Sequence, residues 1–184
     1  MSTTRPKSPI LYFAYGANMN GGQISSRCRT KPRVVAVAKL PGYGIAFFGH
    51  SERWDGGEET ALARAEESLW GVVYELSHSA FDHLDAWQGA KLDGSGPYFH
   101  SPAEAIGEDG TTYAVLLYRK DILGEARAPS TEYLEHIVSG AEEHGLPAAY
   151  VRKLRSITSE KAGYPVPRAD DADRILGAAL SCAC

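Results

Sequence analysis

The hydrophobic pattern divides this chain into more strand-like segments than helical ones. Apolar, β-branched and aromatic runs predict strands at Pro9–Tyr15, Arg33–Leu40, Tyr43–Phe48, Glu59–Arg64, Ser68–Leu76, Tyr98–Ile106 and Thr111–Arg119. Helical spacing and capping residues predict helices at Gly22–Arg29, at His78–Gln88, from Pro129-Ser130 to Gly145 and from Pro147 through Leu154. Because most connections are short, the pattern predicts an α+β fold, a small mixed β-barrel-like sheet with flanking helices.

Turn-forming and polar residues mark the predicted connections. Pro41-Gly42 predicts a turn between two strands. The segment Gly49–Glu59 is polar, contains glycine and is interpreted as a mobile loop. Trp54, inside that loop, is either anchored on the body of the protein or part of a lid, and the pattern leaves both open.

The two ends of the chain differ in composition from the region between them. Met1–Pro9 is polar and lacks the apolar core of a signal peptide, which predicts a flexible leader. Residues 10–157 form one predicted domain. Residues 158–184 contain Pro165, Pro167 and several aspartates and are interpreted as a C-terminal tail or extension, with one helical turn near Asp173–Leu180.

Charge and motif content narrow the classes of function. The net charge of −4 does not indicate a phosphate-backbone partner, so we expect no nucleic acid. No apolar stretch is long enough to span a membrane, and we expect a cytoplasmic protein. The odd cysteine count, Cys28, Cys182 and Cys184, predicts free thiols rather than a disulfide framework. The sequence contains no standard metal motif and no phosphate-binding loop.

The stretch Leu11–Met19 is the first candidate for chemistry. A buried strand breaks at Tyr15 into a Gly16-Ala17-Asn18 turn, and a helix follows. Gly16 can adopt backbone conformations that other residues resist, and Asn18 tolerates the left-handed region. Such a turn directs several backbone N–H groups to one side, where they can bind a carboxylate or a polarised carbonyl. By itself, an ordinary strand-to-helix turn is the simpler interpretation.

A second candidate lies at the end of the predicted helix His78–Gln88. Phe81, Leu84 and Gln88 follow i, i+3, i+7 spacing, which places Gln88 at the inner end of an apolar stripe. Asp82 and Asp85 are expected closer to solvent. Tyrosines could gather where strands meet helices, although each one alone is explained by packing; they are Tyr15, Tyr98, Tyr118 and Tyr133.

Taken together, these residues resemble the γ-glutamylcyclotransferase family. The likeness covers about Ile10–Ile157 and rests on the order and spacing of several short motifs. They are Leu11-Tyr12-Phe13-Ala14-Tyr15-Gly16-Ala17-Asn18, similar to the family's YGSN turn, Trp70-Gly71-Val72-Val73-Tyr74, Leu84-Asp85-Ala86-Trp87-Gln88-Gly89, Gly96-Pro97-Tyr98, Tyr118, Pro129-Ser130-Thr131-Glu132-Tyr133 and Gly145-Leu146-Pro147-Ala148-Ala149-Tyr150.

The resemblance implies a small barrel-like fold with helices and an enzyme of the lyase or acyltransferase type. Its substrate would be a small-molecule γ-glutamyl amine or γ-glutamyl amino acid, cyclised to 5-oxoproline with release of the amine. Neither a metal nor an organic cofactor is expected, and a homodimer is among the assembly states left open. The implied substrate-binding residues are Tyr15, Gly16, Ala17, Asn18, Tyr98, Tyr118 and Tyr133, and the catalytic position is Gln88.

The reaction needs no enzyme nucleophile, because the substrate's own α-amine attacks its γ-carbonyl. The enzyme holds the substrate folded, which can lower the barrier by up to roughly 7–11 kcal/mol in the best intramolecular cases. The backbone N–H groups of Gly16, Ala17 and Asn18 would stabilise the oxygen of the tetrahedral intermediate or fix the α-carboxylate. A carboxylate would carry protons between the two nitrogens.

Here the chain departs from the family, which has a catalytic Glu where this chain has Gln88. A carboxamide does not exchange a proton at neutral pH, and losing general acid–base catalysis costs on the order of 10²–10⁴ in rate. Gln88 can still hydrogen-bond the substrate ammonium, so we expect binding to survive and turnover to fall. Ala17, where the family usually has Ser, keeps the backbone N–H.

Three explanations of Gln88 stay open. It is a deliberate Glu-to-Gln change that traps a substrate complex, a feature of a natural γ-glutamyl-binding protein without turnover, or a feature of a biosynthetic enzyme that processes a γ-glutamyl-protected intermediate with another base. The first is slightly favoured. The nearest alternative bases by sequence are Glu75, Asp85, Asp93 and Tyr118. The pocket for the leaving amine would be lined by variable loops such as Gly49–Glu59 and Asp121–Ala128, with Trp54 or Phe48 near an apolar amine.

Overall fold

The computed structural model describes residues 8–91 and 93–169. Within these ranges the chain forms five β-strands and four α-helices. The strands are β1 (Ile10–Ala14), β2 (Arg33–Ser51), β3 (Gly56–Leu76), β4 (Tyr98–Gly107) and β5 (Thr112–Lys120), and the helices are α1 (Gly21–Cys28), α2 (His78–Gln88), α3 (Thr131–Glu143) and α4 (Ala148–Arg155). A short 3-10 helix, Ala17–Met19, lies between β1 and α1.

The strands close into a barrel in the order β1-β3-β2-β4-β5. Neighbours in this order are antiparallel, and β1 closes the barrel by pairing in parallel with β5, Tyr12 opposite Leu116. Phe13, Val73 and Leu117 are among the fully or almost fully buried residues of the core. The predicted α+β class, a mixed barrel-like sheet with flanking helices, is confirmed.

The longest hairpin was predicted as four separate strands, and the structure corrects this. β2 and β3 run antiparallel from Arg33 opposite Glu75 to Ser51 opposite Gly56. The predicted turn at Pro41-Gly42 is wrong: a register shift occurs there, and Gly42 has a positive φ of 76°. A bulge of this kind bends a strand without ending it.

The predicted mobile loop Gly49–Glu59 is also wrong. Both of its ends belong to the hairpin, which leaves only residues 52–55 between β2 and β3. Trp54 lies in this tip, is 6% exposed and stacks on Tyr133 at 4.8 Å between ring centroids. It is therefore anchored on the body of the protein, because it packs against the first turn of α3.

The helices begin and end close to the predicted residues. Ser77 caps α2, its hydroxyl accepting a hydrogen bond from Ala80 N, and Gly89 follows in the left-handed conformation. Ser130, fully buried, caps α3 in the same way through Tyr133 N. These caps fix Gln88 and Tyr133 at opposite ends of two helices.

Helix α3 packs directly on the turn that follows β1. A Cβ at Gly140 would lie 2.6 Å from the backbone nitrogen of Asn20, so only glycine allows this approach. Asn20 itself caps α1, accepting from Gln23 N. The backbone of residues 16–20 is thus held between α1 and α3.

The predicted C-terminal extension contacts the hairpin tip in its first part. Gly163 N donates to the Asp55 carboxylate at 2.7 Å, and Arg168 N donates to the carbonyl of Arg53 at 2.8 Å. The helical turn expected near 173–180, with Cys182 and Cys184, lies outside the described residues, as do residues 1–7 of the leader. Among the helices of the described ranges, none has the length and apolar character needed to cross a membrane.

Candidate active site

A pocket of about 230 Å³ opens beside the turn that follows β1. Its walls come from four parts of the fold: the turn and α1, the β2–β3 hairpin, the end of α2 with the start of β4, and the first turn of α3. The lining residues are Ala17, Arg27, Ser51, Arg53, Trp54, Glu58, Glu59, Ala86, Trp87, Gln88, Gly89, Pro97, Tyr98 and Tyr133. Four of these, Ala17, Gln88, Tyr98 and Tyr133, belong to the site expected from the sequence.

The turn presents its backbone to this pocket through Ala17. The Ala17 N–H donates to Oε1 of Glu59 at 3.3 Å, so a carboxylate already lies at the expected anion site. Gly16 has a φ of −123° and a ψ of −139°, which belong to neither the helical nor the extended region. Contact also favours glycine there, since a Cβ on Gly16 would lie 2.3 Å from Oε1 of Glu59.

Glu59 is the carboxylate that sequence reasoning missed. It lies on β3, opposite Phe47, and is partly buried while still lining the pocket. Tyr133 donates its hydroxyl proton to Oε2, and Ala17 N–H reaches Oε1. Burial raises the pKa of the Glu59 carboxyl, and the hydrogen bond from Tyr133 opposes only part of that rise.

Gln88 is the last residue of α2 and lines the pocket. Its Oε1 accepts a hydrogen bond from Nη1 of Arg27 at 3.2 Å. The apolar stripe on α2 is present as predicted, with Phe81 and Leu84 buried and Gln88 partly exposed beyond them. Gln88 thus directs a polar side chain at a cation rather than at the core.

Arg27 was also missed, although its position carried a signal. It shares a helical face of α1 with Ile24 and Cys28, and all three are buried. Besides Gln88, its Nη1 donates to Asn18 Oδ1 at 2.8 Å. Burial lowers the pKa of Arg27, and the nearby positive charge of Arg53 lowers it further; arginine nevertheless stays protonated in proteins.

A second arginine and an indole ring complete the cationic side of the pocket. The guanidinium carbons of Arg27 and Arg53 lie 5.6 Å and 6.0 Å from the ring centroid of Trp87. Both distances are within the range of cation–π contact. Positive charge is thereby concentrated near Trp87 and Gln88, from Arg27 on α1 and from Arg53 in the tip of the β2–β3 hairpin.

The four tyrosines separate into two groups. Tyr98 and Tyr133 both reach Glu59: the Tyr98 hydroxyl donates to the Glu59 carbonyl at 3.0 Å and Tyr133 donates to the carboxylate. Tyr15 and Tyr118 lie behind the pocket wall, where Tyr15 donates to the Tyr118 carbonyl at 2.5 Å. Neither of these two residues lines the pocket.

Asn18 connects the turn to the helices rather than facing the pocket. It is 4% exposed; its Nδ2 donates to the Tyr12 hydroxyl at 3.0 Å, and its Oδ1 accepts from Arg27 and from Gln23. The Asn18 side chain therefore positions Arg27 and the turn relative to each other.

None of the alternative bases suggested by the sequence lines the pocket. Glu75 is paired with Arg33 at the surface, and Asp93 accepts from Ser95 in an exposed turn. Asp85, expected near solvent, is mostly covered and accepts from Tyr118 at 2.5 Å and pairs with His100 at 2.7 Å. In the described part of the chain, no group of three or more His, Cys, Asp or Glu side chains is arranged to hold a metal ion.

The arrangement offers a binding site for a molecule that carries both charges. Arginines on one wall suit a carboxylate, and the carboxylate of Glu59 with the oxygen of Gln88 suits an ammonium group. The Ala17 N–H can stabilise a developing oxyanion. The pocket can therefore hold an amino acid head group beside a polarised carbonyl.

Comparison with known proteins gives one consistent family. A model of the AIG2-like family matches residues 68–154. A γ-glutamylcyclotransferase of Bos taurus is 33% identical over 154 residues, which are 80% of this chain and 78% of that protein. The Homo sapiens protein of the same name is 31% identical over 152 residues, again 80% of this chain and 78% of that protein.

Solved structures show the same relationship at the level of the fold. A structure described as a γ-glutamyl cyclotransferase superposes with a TM-score of 0.79 at 28% identity, covering 92% of this chain and 99% of that chain. A Homo sapiens protein described as uncharacterized superposes with a TM-score of 0.80 at 26% identity, covering 93% and 99%. The barrel and its flanking helices are therefore shared over almost the whole of those chains.

Proposed function

Because this chain belongs to the γ-glutamylcyclotransferase family of enzymes, we propose that it cyclises a γ-glutamyl amine or γ-glutamyl amino acid to 5-oxoproline and releases the amine. The observation that supports this most strongly is the pocket beside Ala17, where a backbone N–H, a buried arginine and a carboxylate meet. These groups complement the three polar parts of a folded γ-glutamyl group: the γ-carbonyl, the α-carboxylate and the α-ammonium.

In this proposal the substrate's γ-carbonyl oxygen binds the Ala17 N–H. The 3.3 Å hydrogen bond that Glu59 now makes there is long, so a carbonyl that develops negative charge competes for it well. Gly16 and Asn18 flank Ala17 in the turn, but neither residue lines the pocket, so the proposed oxyanion donor is the Ala17 N–H. Attack by the α-amine then closes the five-membered lactam at the base of the pocket.

The α-carboxylate binds the wall formed by Arg27 and Arg53 in this arrangement. Arg27 is held by Asn18 and Gln88 before substrate arrives, so little side-chain freedom is lost on binding. Gln88 would hydrogen-bond the α-ammonium through its oxygen. Tyr98 and Tyr133 line the same cavity and cover the glutamyl chain, while Tyr15 and Tyr118 support it from behind.

Gln88 itself supplies no proton transfer, so its place in the reaction is binding and orientation. The leaving amine would extend toward the β2–β3 hairpin, where Ser51 and Trp54 line the pocket. The second segment expected around the amine, Asp121–Ala128, does not line this pocket, so the hairpin is the part of the chain that we propose selects the amine.

The test is an assay of the unmodified protein and of Gln88→Glu with a panel of γ-glutamyl compounds: the methylamide, the alanine dipeptide and the anilide. We expect 5-oxoproline and free amine in equal amounts, with none from N-acetylated analogues, whose nitrogen cannot attack. If both proteins bind these compounds by calorimetry and neither releases 5-oxoproline, the chain is a γ-glutamyl-binding protein and the proposal is wrong.

A further inference from the structure

We propose that Glu59 is the general acid and base of the cyclisation, in a position on β3 far along the chain from Gln88. This inference rests on the proposed function and adds the group that carries the protons. It changes the expectation for Gln88, because a chain with a carboxylate elsewhere in the pocket need not lose turnover. Among the pocket-lining residues, Glu58 and Glu59 are the two carboxylates.

Glu58 and Glu59 differ in the groups that hold their carboxylates. Glu58 pairs with the ammonium of Lys120, whose side chain is 7% exposed. The Glu58 carboxylate is therefore already engaged in an ion pair, with Lys120 rather than with the turn after β1. In the described part of the chain, the Glu59 carboxylate is held instead by the Ala17 N–H and the Tyr133 hydroxyl. We therefore assign proton transfer to Glu59, the carboxylate that contacts the turn.

The contact with Ala17 places Glu59 beside the reacting atoms. In the proposed complex, the γ-carbonyl oxygen accepts the hydrogen bond from the Ala17 N–H, and Oε1 of Glu59 moves aside. The Glu59 carboxylate then lies next to the γ-carbonyl carbon. We expect both nitrogens bonded to that carbon in the tetrahedral intermediate to come within hydrogen-bond reach of this one carboxylate. Tyr133 holds Oε2 throughout, which keeps the group oriented toward the pocket.

The surroundings suit a proton carrier at neutral pH. Burial raises the pKa of Glu59, and a catalytic group works best when its pKa approaches the working pH. Among the described residues, the charged or titratable side chains that interact with Glu59 include Tyr12, Tyr15, Arg27, Glu58, Tyr98 and Tyr133. Burial raises the pKa of each of these tyrosines, so they stay neutral where Glu59 titrates, and Arg27 stays cationic.

The Glu59 carboxyl group alone can carry out every proton transfer of the reaction. Ionised Glu59 takes a proton from the α-ammonium, and the free amine attacks the γ-carbonyl, forming the new C–N bond and an oxyanion at Ala17. Protonated Glu59 gives its proton to the other nitrogen, the old C–N bond breaks, and the amine leaves as the carbonyl reforms. Glu59 then takes the second proton from the lactam nitrogen and passes it to the departing amine, which becomes an ammonium ion.

The test compares Glu59→Gln with the unmodified protein on γ-glutamyl methylamide and γ-glutamylalanine. The change keeps the size and polarity of the side chain and removes only its ability to exchange a proton. We expect the turnover number to fall on the order of 10²–10⁴-fold, and calorimetric affinity to fall by a much smaller factor, because glutamine keeps an oxygen that hydrogen-bonds the α-ammonium. In Glu59→Gln, turnover should no longer rise with pH, because the group whose deprotonation causes that rise is gone. Glu59→Asp, which keeps a carboxylate, should recover part of the turnover and of its pH dependence.

Glu67→Gln is the matched control, since Glu67 lies on the same strand but pairs with Arg64 and Lys153 at the surface. Its turnover and pH profile should match those of the unmodified protein. Unchanged turnover in Glu59→Gln overturns this inference and leaves the proposed function standing. So does 5-oxoproline formation by Gln88→Glu but not by the unmodified protein. If none of the proteins forms 5-oxoproline, the proposed function and this inference are both wrong.

Discussion

Gln88 at the end of α2 accepts a hydrogen bond from the guanidinium of Arg27 on α1, with Oε1 3.2 Å from Nη1. Arg27 also holds Asn18, so one buried cation links the turn after β1 to Gln88, the residue that the sequence resemblance implies as the catalytic position. A carboxamide satisfies this cation without forming an ion pair. The pair Arg27–Gln88 is thus a binding element whose chemistry differs from that of a proton carrier.

We expect Gln88→Glu to change turnover by less than about tenfold. The new carboxylate would pair with Arg27, which holds its pKa low and makes it a weak acid toward the leaving amine. Turnover numbers of the two proteins on γ-glutamyl methylamide measure this directly. A gain of 100-fold or more would mean that Gln88 limits the natural reaction, since general acid–base catalysis contributes on the order of 10²–10⁴.

We expect Arg27→Met to weaken substrate binding and to destabilise the fold. The substitution removes the charged donor shared by Asn18 Oδ1 and Gln88 Oε1, and a hydrogen bond to a charged group contributes about 1.5–3 kcal/mol to the unfolding free energy. Urea denaturation measures that loss. Arg27→Lys keeps the charge but lacks the planar fork, so we expect an intermediate result.

A substrate analogue separates the two roles of Arg27. The 4-aminobutanoyl amide has the γ-carbonyl and the amine but no α-carboxylate. If Arg27 binds that carboxylate, Arg27→Met should raise KM at least about tenfold for the γ-glutamyl amide and much less for the analogue. An equal rise for both compounds would assign Arg27 a purely structural role.

Much of the fold was predictable because local signals agree with the tertiary structure. The caps Ser77 and Ser130 and the C-terminal Gly89 fix helix ends through hydrogen bonds within a few residues. The continuous β2–β3 hairpin was not predictable in the same way. Pro41-Gly42 has the composition of a turn, and only the pairing of residues distant in sequence, such as Leu40 with Leu69, carries the strand past it.

The candidate site also has parts that the local sequence predicts and a part that depends on long-range strand pairing. Helical spacing was enough to place Gln88 beyond Phe81 and Leu84, and the turn at Ala17 follows from a strand end. Glu59 depends on the register of the hairpin, which brings residue 59 to Ala17 across 42 positions of sequence. A signal was nevertheless available, because Glu58-Glu59 directly after Gly56-Gly57 is an unusual start for a strand.

The stability of the protein without substrate should carry a pH signature of Glu59. A carboxyl group whose pKa is raised by folding stabilises the fold below its unfolded pKa, about 4.3. That contribution is lost as the pH rises through the folded pKa. Glu59→Gln never ionises, so we expect its unfolding free energy, relative to the unmodified protein, to increase as the pH rises from about 4 to 8.

Urea denaturation of both proteins at several pH values gives this difference, and the titration of all other groups cancels in it. A difference that stays constant with pH would mean that folding leaves the pKa of Glu59 unshifted. If Glu59→Gln is more stable than the unmodified protein at neutral pH, Glu59 lowers the stability of the fold, as functional residues often do.

Tyr133→Phe should move the pH dependence of turnover upward. The Tyr133 hydroxyl donates to Glu59 and favours its ionised form, so removing it raises the pKa of Glu59 further. Less of the base is then ionised at neutral pH, and we expect kcat/KM to fall at pH 7 and to recover at higher pH. The phenylalanine ring keeps the stacking on Trp54, so the pocket wall is retained.

Tyr98→Phe is the comparison that isolates this effect. The Tyr98 hydroxyl donates to the backbone carbonyl of Glu59 rather than to its carboxylate, so its loss should leave the midpoint of the pH profile in place. Profiles of kcat/KM between pH 5 and 9 for the three proteins decide the matter. If Tyr133→Phe lowers kcat/KM by the same factor at every pH, then Tyr133 orients the substrate and does not tune Glu59.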